Sequence, residues 1–167
     1  MELSDKLLPD AVRAGLRAAE GDCEVFACDP ELADTTAFCA HYGYPPERSA
    51  NAILIKAKTG ERRFVVCVVL AHTRLDVNHT VRKRLGARRV SFASADETRA
   101  RTSMELGGVT PFGLPPQIEI WIDSRVMEGD YVILGAGTRA AKLKVTPGLL
   151  SGLPNATVVA GLASPVN

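Results

Sequence analysis

The chain has 167 residues, of which 46% are hydrophobic and 23% charged, with a formal net charge of +1. This is enough for one domain with a real core, and it excludes disordered and collagen-like classes. No apolar run reaches the roughly 18 residues of a membrane span. The opening residues, with Glu2 and Asp5, lack the basic-then-apolar order of a signal peptide, so a cytoplasmic protein is expected.

Leu8, Val12, Leu16 and Ala19 recur at helical spacing, with Pro9 suited to a first turn and Gly21 to a stop. Glu24 to Cys28 reads as a short strand. Asp34 is placed to cap a second helix that runs through Phe38 and Tyr42 and stops at Gly43. Tyr44-Pro45-Pro46 is a stiff connector. A strand from Ser49 to Lys58 and the apolar strand Phe64 to Leu70 should form a hairpin around Thr59-Gly60-Glu61. The second of them is apolar on both alternate sets, as in a strand covered on both faces. Asp76 should cap a helix carrying Val77, Val81 and Leu85, with Gly86 as its stop.

Arg88 to Phe92 is the next strand, and Ser94-Ala95-Asp96-Glu97 is a capping box. Ile118, Ile120 and Ile122 alternate with Glu119 and Trp121 in a strand ending at Asp123. Tyr131 to Leu134 and Ala141 to Val145 are further strands, and Thr146 caps a turn from Pro147 to Leu150. Helices and strands mix without a βαβ repeat, linker or internal repeat. The expected class is α+β, a single domain over 1–167 with an N-terminal helix within 1–22 and a core over 23–160.

Between the capping-box helix and the Ile118 strand lies Glu105-Leu106-Gly107-Gly108-Val109-Thr110-Pro111-Phe112-Gly113-Leu114-Pro115-Pro116. Paired glycines let a backbone bring its N–H groups close to a ligand, and the three prolines stiffen the rest of the loop. A rigid, uncharged, donor-rich loop suits a carbonyl or phosphate oxygen. On composition alone it is also an ordinary helix-to-strand connection. Met104, Phe112 and Leu54 are candidates for pocket walls or for core.

Other motifs are weak. Gly135-Ala136-Gly137-Thr138-Arg139-Ala140 matches a loose dinucleotide fingerprint, but no acid lies beyond Asp130 to hold a ribose. His41, His72 and His79 form no zinc-type set with Cys39, so no metal or other cofactor is expected. No nucleophile elbow or H-E-x-x-H motif is present. Cys23, Cys28, Cys39 and Cys67 lack CxxC spacing and read as buried thiols in a reducing compartment. Arg82, Lys83, Arg84, Arg88 and Arg89 fall in an acid-free stretch, and Arg139, Lys142 and Lys144 are the only charges after Asp130. Such patches suit phosphates or are simply solvated faces.

The order of these segments, with the Pro-Pro-Glu connector and Gly107-Gly108-Val109-Thr110-Pro111, resembles the YbaK family from about Val25 to Val145. These are free-standing relatives of the editing domain of bacterial prolyl-tRNA synthetases. The resemblance implies a mixed, barrel-like sheet surrounded by helices. It also implies hydrolysis, without a metal, of the ester joining a wrong small amino acid to tRNA(Pro). The partners implied are aminoacyl-tRNA and, as one option, prolyl-tRNA synthetase.

By the family's G-x-x-x-P loop, Gly107 and Gly108 are the carbonyl grip. Val109, Thr110, Pro111 and Phe112, with Gly135 and Gly137, are substrate-binding candidates, and Arg82, Lys83 and Arg139 are tRNA contacts. The family's lysine falls on Asn51 here. Lys56, five residues along the strand, points to the opposite face without a slip or bulge. Losing a charge-assisted bond costs about 1.5–3 kcal/mol, or roughly 10- to 150-fold in rate. Two functions therefore stand: a trans-acting deacylase with Asn51 as an altered contact, or a binding module of the same fold that no longer hydrolyses.

Overall fold

The computed structural model describes residues 6–19, 21–60 and 63–166. α1 (Asp10–Ala18) is entered through Pro9 and buries Val12 completely. It stops at Ala18, short of the expected Gly21.

The largest sheet has the order β5–β2–β3–β6–β9, from β5 (Val90–Phe92), β2 (Ala50–Ala57), β3 (Phe64–Leu70), β6 (Glu119–Asp123) and β9 (Ala156–Val159). β2 and β3 form the expected hairpin, paired without interruption from Ala50 with Leu70 to Lys56 with Phe64. Part of the expected turn, Glu61, lies outside the described residues. β6 joins β3 in parallel, and β9 joins β6 in parallel. Such strands are normally buried on both faces. Val65 to Val69 and Ile120 to Ile122 are all buried, including Trp121 on the face opposite the two isoleucines.

A second, antiparallel sheet has the order β1 (Cys23–Ala27), β8 (Ala141–Val145), β7 (Val132–Gly135). An isolated bridge from Ser49 to Ile133 links it to the head of β2. β10 (Ala163–Pro165) pairs with β4 (Thr73–Leu75) as a third sheet. The strands do not close into one barrel. Leu54, Val68 and Ile120 from the large sheet meet Leu134 and Leu143 from the second in a shared core. Val81 and Leu85 cover the other face of the large sheet, against Ile55, Cys67 and Trp121. A third cluster packs Phe38 of α2 (Thr35–Tyr42) on Cys28 and Ile133, with the Phe38 and Tyr44 rings stacked 5.7 Å apart.

Several expectations change in detail. The helix after Asp76 begins with a π-turn at Val77–Val81, where Val81 N–H reaches the Asp76 carbonyl, and only then becomes α3 (Arg82–Leu85). Asp76 still caps it, accepting from the His79 N–H at 3.3 Å and the Thr80 hydroxyl at 2.9 Å. Asp34 and Thr146 stand at the N-cap positions of α2 and α5 (Pro147–Ser151), but neither side chain makes a capping bond. α4 (Ala95–Thr102) has the full capping box of Ser94 and Glu97. β4, β9 and β10 had no clear sequence signal, and β10 carries the ordered core to Pro165, past the expected end at 160. No helix among the described residues is long and apolar enough to cross a membrane.

Candidate functional site

A cavity of about 450 Å³ opens where four parts of the chain converge. Residues 33–36 lead into α2, residues 50–54 come from β2, and Phe92 and Ala93 lie at the end of β5. Leu106, Gly107 and Val109 of the glycine loop close it, with Gly135 and Lys142 behind. Ala33, Ala50, Ala52 and Ala93 leave room for a small group. The only carboxylate in the lining is Asp34, which pairs with Arg139 at 3.3 Å. The lining contains no His or Cys to act as a base or nucleophile.

The loop divides its work residue by residue. Glu105 carbonyl accepts from the Gly108 N–H at 2.9 Å, closing a tight turn with Gly107 at φ 82°. That left-handed conformation favours glycine. The Gly108 N–H is therefore engaged inside the loop. The Gly107 N–H has no acceptor among the described residues.

Gly108 lies against the β7–β8 turn, where a Cβ would sit 2.6 Å from the Thr138 carbonyl oxygen. Gly135 faces it, and a Cβ there would be 2.7 Å from the Val109 oxygen. Gly137 N–H donates to the Gly108 carbonyl at 2.6 Å. Gly135 and Gly137 join consecutive antiparallel strands and open no helix, so the dinucleotide reading does not fit. Their effect is a close seam between turn and loop.

Val109 faces the cavity. Thr110, Pro111 and Phe112 are buried behind it, Phe112 wholly within the core with Met104. Leu54 both lines the cavity and joins the core.

Two ionised side chains tie the loop down. Glu105 carboxylate accepts from the Arg139 N–H at 2.7 Å and the Thr138 hydroxyl at 3.3 Å. The Arg139 guanidinium bonds the carbonyls of Pro30 at 3.0 Å and Leu106 at 3.2 Å, besides Asp34. Arg139 is thus engaged within the protein at the rim of the site. Arg82 and Lys83 stand apart from the cavity on α3, with Lys83 exposed and Arg82 Nε donating to the Asn78 carbonyl at 2.8 Å.

Asn51 lines the cavity, and its Oδ1 accepts from the Thr35 hydroxyl at 2.5 Å. Lys56 is bound to Glu97 by contacts of 2.8 and 2.9 Å, on the other side of an unbroken strand. The cation that does reach the cavity is Lys142 on β8. It is 5% exposed, with Nζ donating to the Ala33 carbonyl at 2.6 Å and 5.1 Å from the centre of the Phe38 ring. Burial lowers its pKa. Cys28, Asp34 and Cys39 oppose that shift, while Arg139 adds to it.

Sequence reasoning missed Lys142, Thr35, Asp34 and Glu105 as parts of this site. The acid-free tail after Asp130 was the one available signal for Lys142. Its alternation with Lys144 marks a solvated face, which the Phe38 cluster in fact covers. Among the described residues, no three or more His, Cys, Asp or Glu side chains gather as a metal site.

The fold is shared with proteins of known structure. One is hypothetical protein APE2540, with a TM-score of 0.82 and 22% identity over 93% of this chain and 100% of that one. Another is a candidate trans-editing enzyme for prolyl tRNA synthetase, with a TM-score of 0.77 and 20% identity over 96% of this chain and 97% of that one. Uncharacterized protein YwhH of Bacillus subtilis (strain 168) is 30% identical over 92 residues, which span 55% of this chain and 58% of that protein. The family model of the aminoacyl-tRNA editing domain matches residues 29–151. That span takes in α2, the β2–β3 hairpin, the glycine loop and Lys142, every element that borders the cavity, and the chain belongs to the aminoacyl-tRNA editing domain family.

Proposed function

We propose that the chain is a trans-acting deacylase that hydrolyses the ester of a mischarged small amino acid on a tRNA of the tRNA(Pro) type, in the cytoplasm. Family membership supplies aminoacyl-tRNA as the ligand, and prolyl-tRNA synthetase is a candidate partner. The observation that carries the reading is the Gly107 N–H, without an acceptor among the described residues, at the edge of an alanine-lined cavity of about 450 Å³. A fixed N–H aimed at an acyl oxygen gains strength as charge builds there in the transition state.

Water adds to the ester carbon, the bond to the ribose oxygen breaks, and that oxygen leaves with a proton as the free hydroxyl. In this reading the substrate's own amine and hydroxyl position the water without a metal, in keeping with a lining that holds no His or Cys among the described residues. Val109 and Gly135 shape the cavity, with Thr110, Pro111 and Phe112 as its rigid backing and Gly137 holding the seam. Arg82 and Lys83, with Arg139 nearer the mouth, meet the tRNA backbone. The whole described chain acts as one editing domain.

A second reading is favoured by one observation. Asn51 stands in the cavity as a neutral group already bonded to Thr35, which fits a module that binds aminoacyl-tRNA without cleaving it. Deacylation of tRNA(Pro) charged with alanine, cysteine or serine, at low salt and beside a protein-free blank, separates the two. Loss of one ester well above the blank is expected. Binding with every ester intact would establish the module instead.

A further inference from the structure

We propose that Lys142 supplies, from β8, the cationic contact to the acyl end of the ligand that Asn51 cannot make from β2. The inference rests on the reading above only for the ligand, an aminoacyl-adenosine end, and not for hydrolysis.

Register places Lys142 on the right face. It pairs with Gly135 across β7 and β8, and directly paired residues project to the same side of a sheet. At Gly135 that side is the glycine loop, 2.7 Å from a would-be Cβ to the Val109 oxygen. Gly135 has no side chain to obstruct the lysine, which lines the cavity together with the loop.

The ammonium is also under-used. It has three N–H donors, and the Ala33 carbonyl is its one acceptor among the described residues. A buried charge with unspent donors is costly, and the Phe38 ring offsets that only in part. A ligand oxygen in the cavity would complete its hydrogen bonding. Among the described residues no other lysine competes, because Lys56 is held by Glu97 outside the cavity and the lining holds Lys142 alone of the lysines. The charged and titratable groups around it are Cys28 after β1, Asp34 and Cys39 of the α2 segment, and Arg139 of the β7–β8 turn. Asp34 is itself shared with Arg139, so it leaves the ammonium incompletely neutralised.

The probe is 3′-alanylamino-3′-deoxyadenosine, whose amide resists cleavage, titrated by calorimetry into the parent and variants of matched thermal stability. Lys142→Met should weaken binding by about 10- to 150-fold, the loss of one charge-assisted bond, and Lys142→Arg should keep most of it. Asn51→Lys in the Lys142→Met background should recover affinity, because it returns a cation from the other strand. Parent binding should also fade at alkaline pH, earlier than an ordinary lysine would dictate, and Lys142→Met should lose that limb.

Equal affinity of parent and Lys142→Met overturns the proposal. So does the lack of any recovery with Asn51→Lys, or failure of the parent to bind the amide. Lys142-dependent binding with every ester left intact would reject the deacylase reading while upholding this one. Ester cleavage at the parent kcat/KM by Lys142→Met would do the reverse.

Discussion

Gly108→Ala tests whether the seam between loop and β7–β8 turn holds the site together. A Cβ at residue 108 would lie 2.6 Å from the Thr138 oxygen, 2.7 Å from its carbonyl carbon and 3.0 Å from its nitrogen. All three are backbone atoms of a tight turn, so no side chain can swing away and the loop must lift. Overpacking of this kind costs about 1–3 kcal/mol. Losing the Gly137 N–H bond to the Gly108 carbonyl adds about 0.5–1.5 kcal/mol. The sum is about 2–4 kcal/mol, a fall of roughly 5–15 °C in Tm for a domain of this size.

Gly135→Ala strikes the same seam from the other side, at 2.7 Å from the Val109 oxygen and 2.8 Å from the Gly108 carbonyl. The double variant should therefore cost less than the sum of the two. Gly43→Ala is the control. Unlike the seam positions it imposes a positive φ, 79°, on alanine, but nothing lies within 4 Å, so only about 1–2 kcal/mol of backbone strain is expected and no overpacking. Thermal unfolding monitored by circular dichroism gives the stabilities, and analogue binding reports the site. Gly108→Ala should lose both, and Gly43→Ala only some stability. A Gly108→Ala protein with the parent's Tm and affinity would refute the seam.

Two further outcomes concern titratable groups. Hydrogen bonds from Lys56 and then Ser94 hold the Glu97 carboxyl at about 2, below its ordinary 4.5. A depressed carboxyl contributes stability that is complete above its unfolded value and is lost as pH falls through the folded one. Between pH 4.5 and 2 the parent's urea midpoint should thus fall more steeply than that of Lys56→Met; parallel curves would remove the role assigned to this pair. Burial pushes the Cys67 thiol up to about 12 and raises Cys28 as well, and Cys39 is also buried. Cys23 is half-buried, so a thiol reagent should label one cysteine rapidly and the other three only on unfolding. Several fast thiols would contradict this packing.

Periodicity and capping residues determined much of the chain by themselves. The β2–β3 hairpin, the buried β3, the capping box at Ser94 and the stop at Gly43 all come from local rules, because each depends on residues within one turn or one strand. The glycine-proline loop was legible for the same reason: its backbone chemistry is written in consecutive residues. β4, β9 and β10 were not, since their strand character comes from pairing with β10, β6 and β4 and not from a local pattern.

The site shows the same division. Sequence order singled out Gly107 and Asn51, which both line the cavity, and strand alternation put Lys56 on the other face, where it meets Glu97. It could not tell that the Gly108 N–H is consumed by the Glu105 carbonyl, or that Arg139 grips the loop from 33 residues beyond Leu106. Nor could it place Lys142 in the cavity, because a lysine that alternates with another lysine looks the same on a wet face as beneath Phe38. Tertiary packing alone decided which of those faces was covered, by bringing α2 and the glycine loop onto one side of β8.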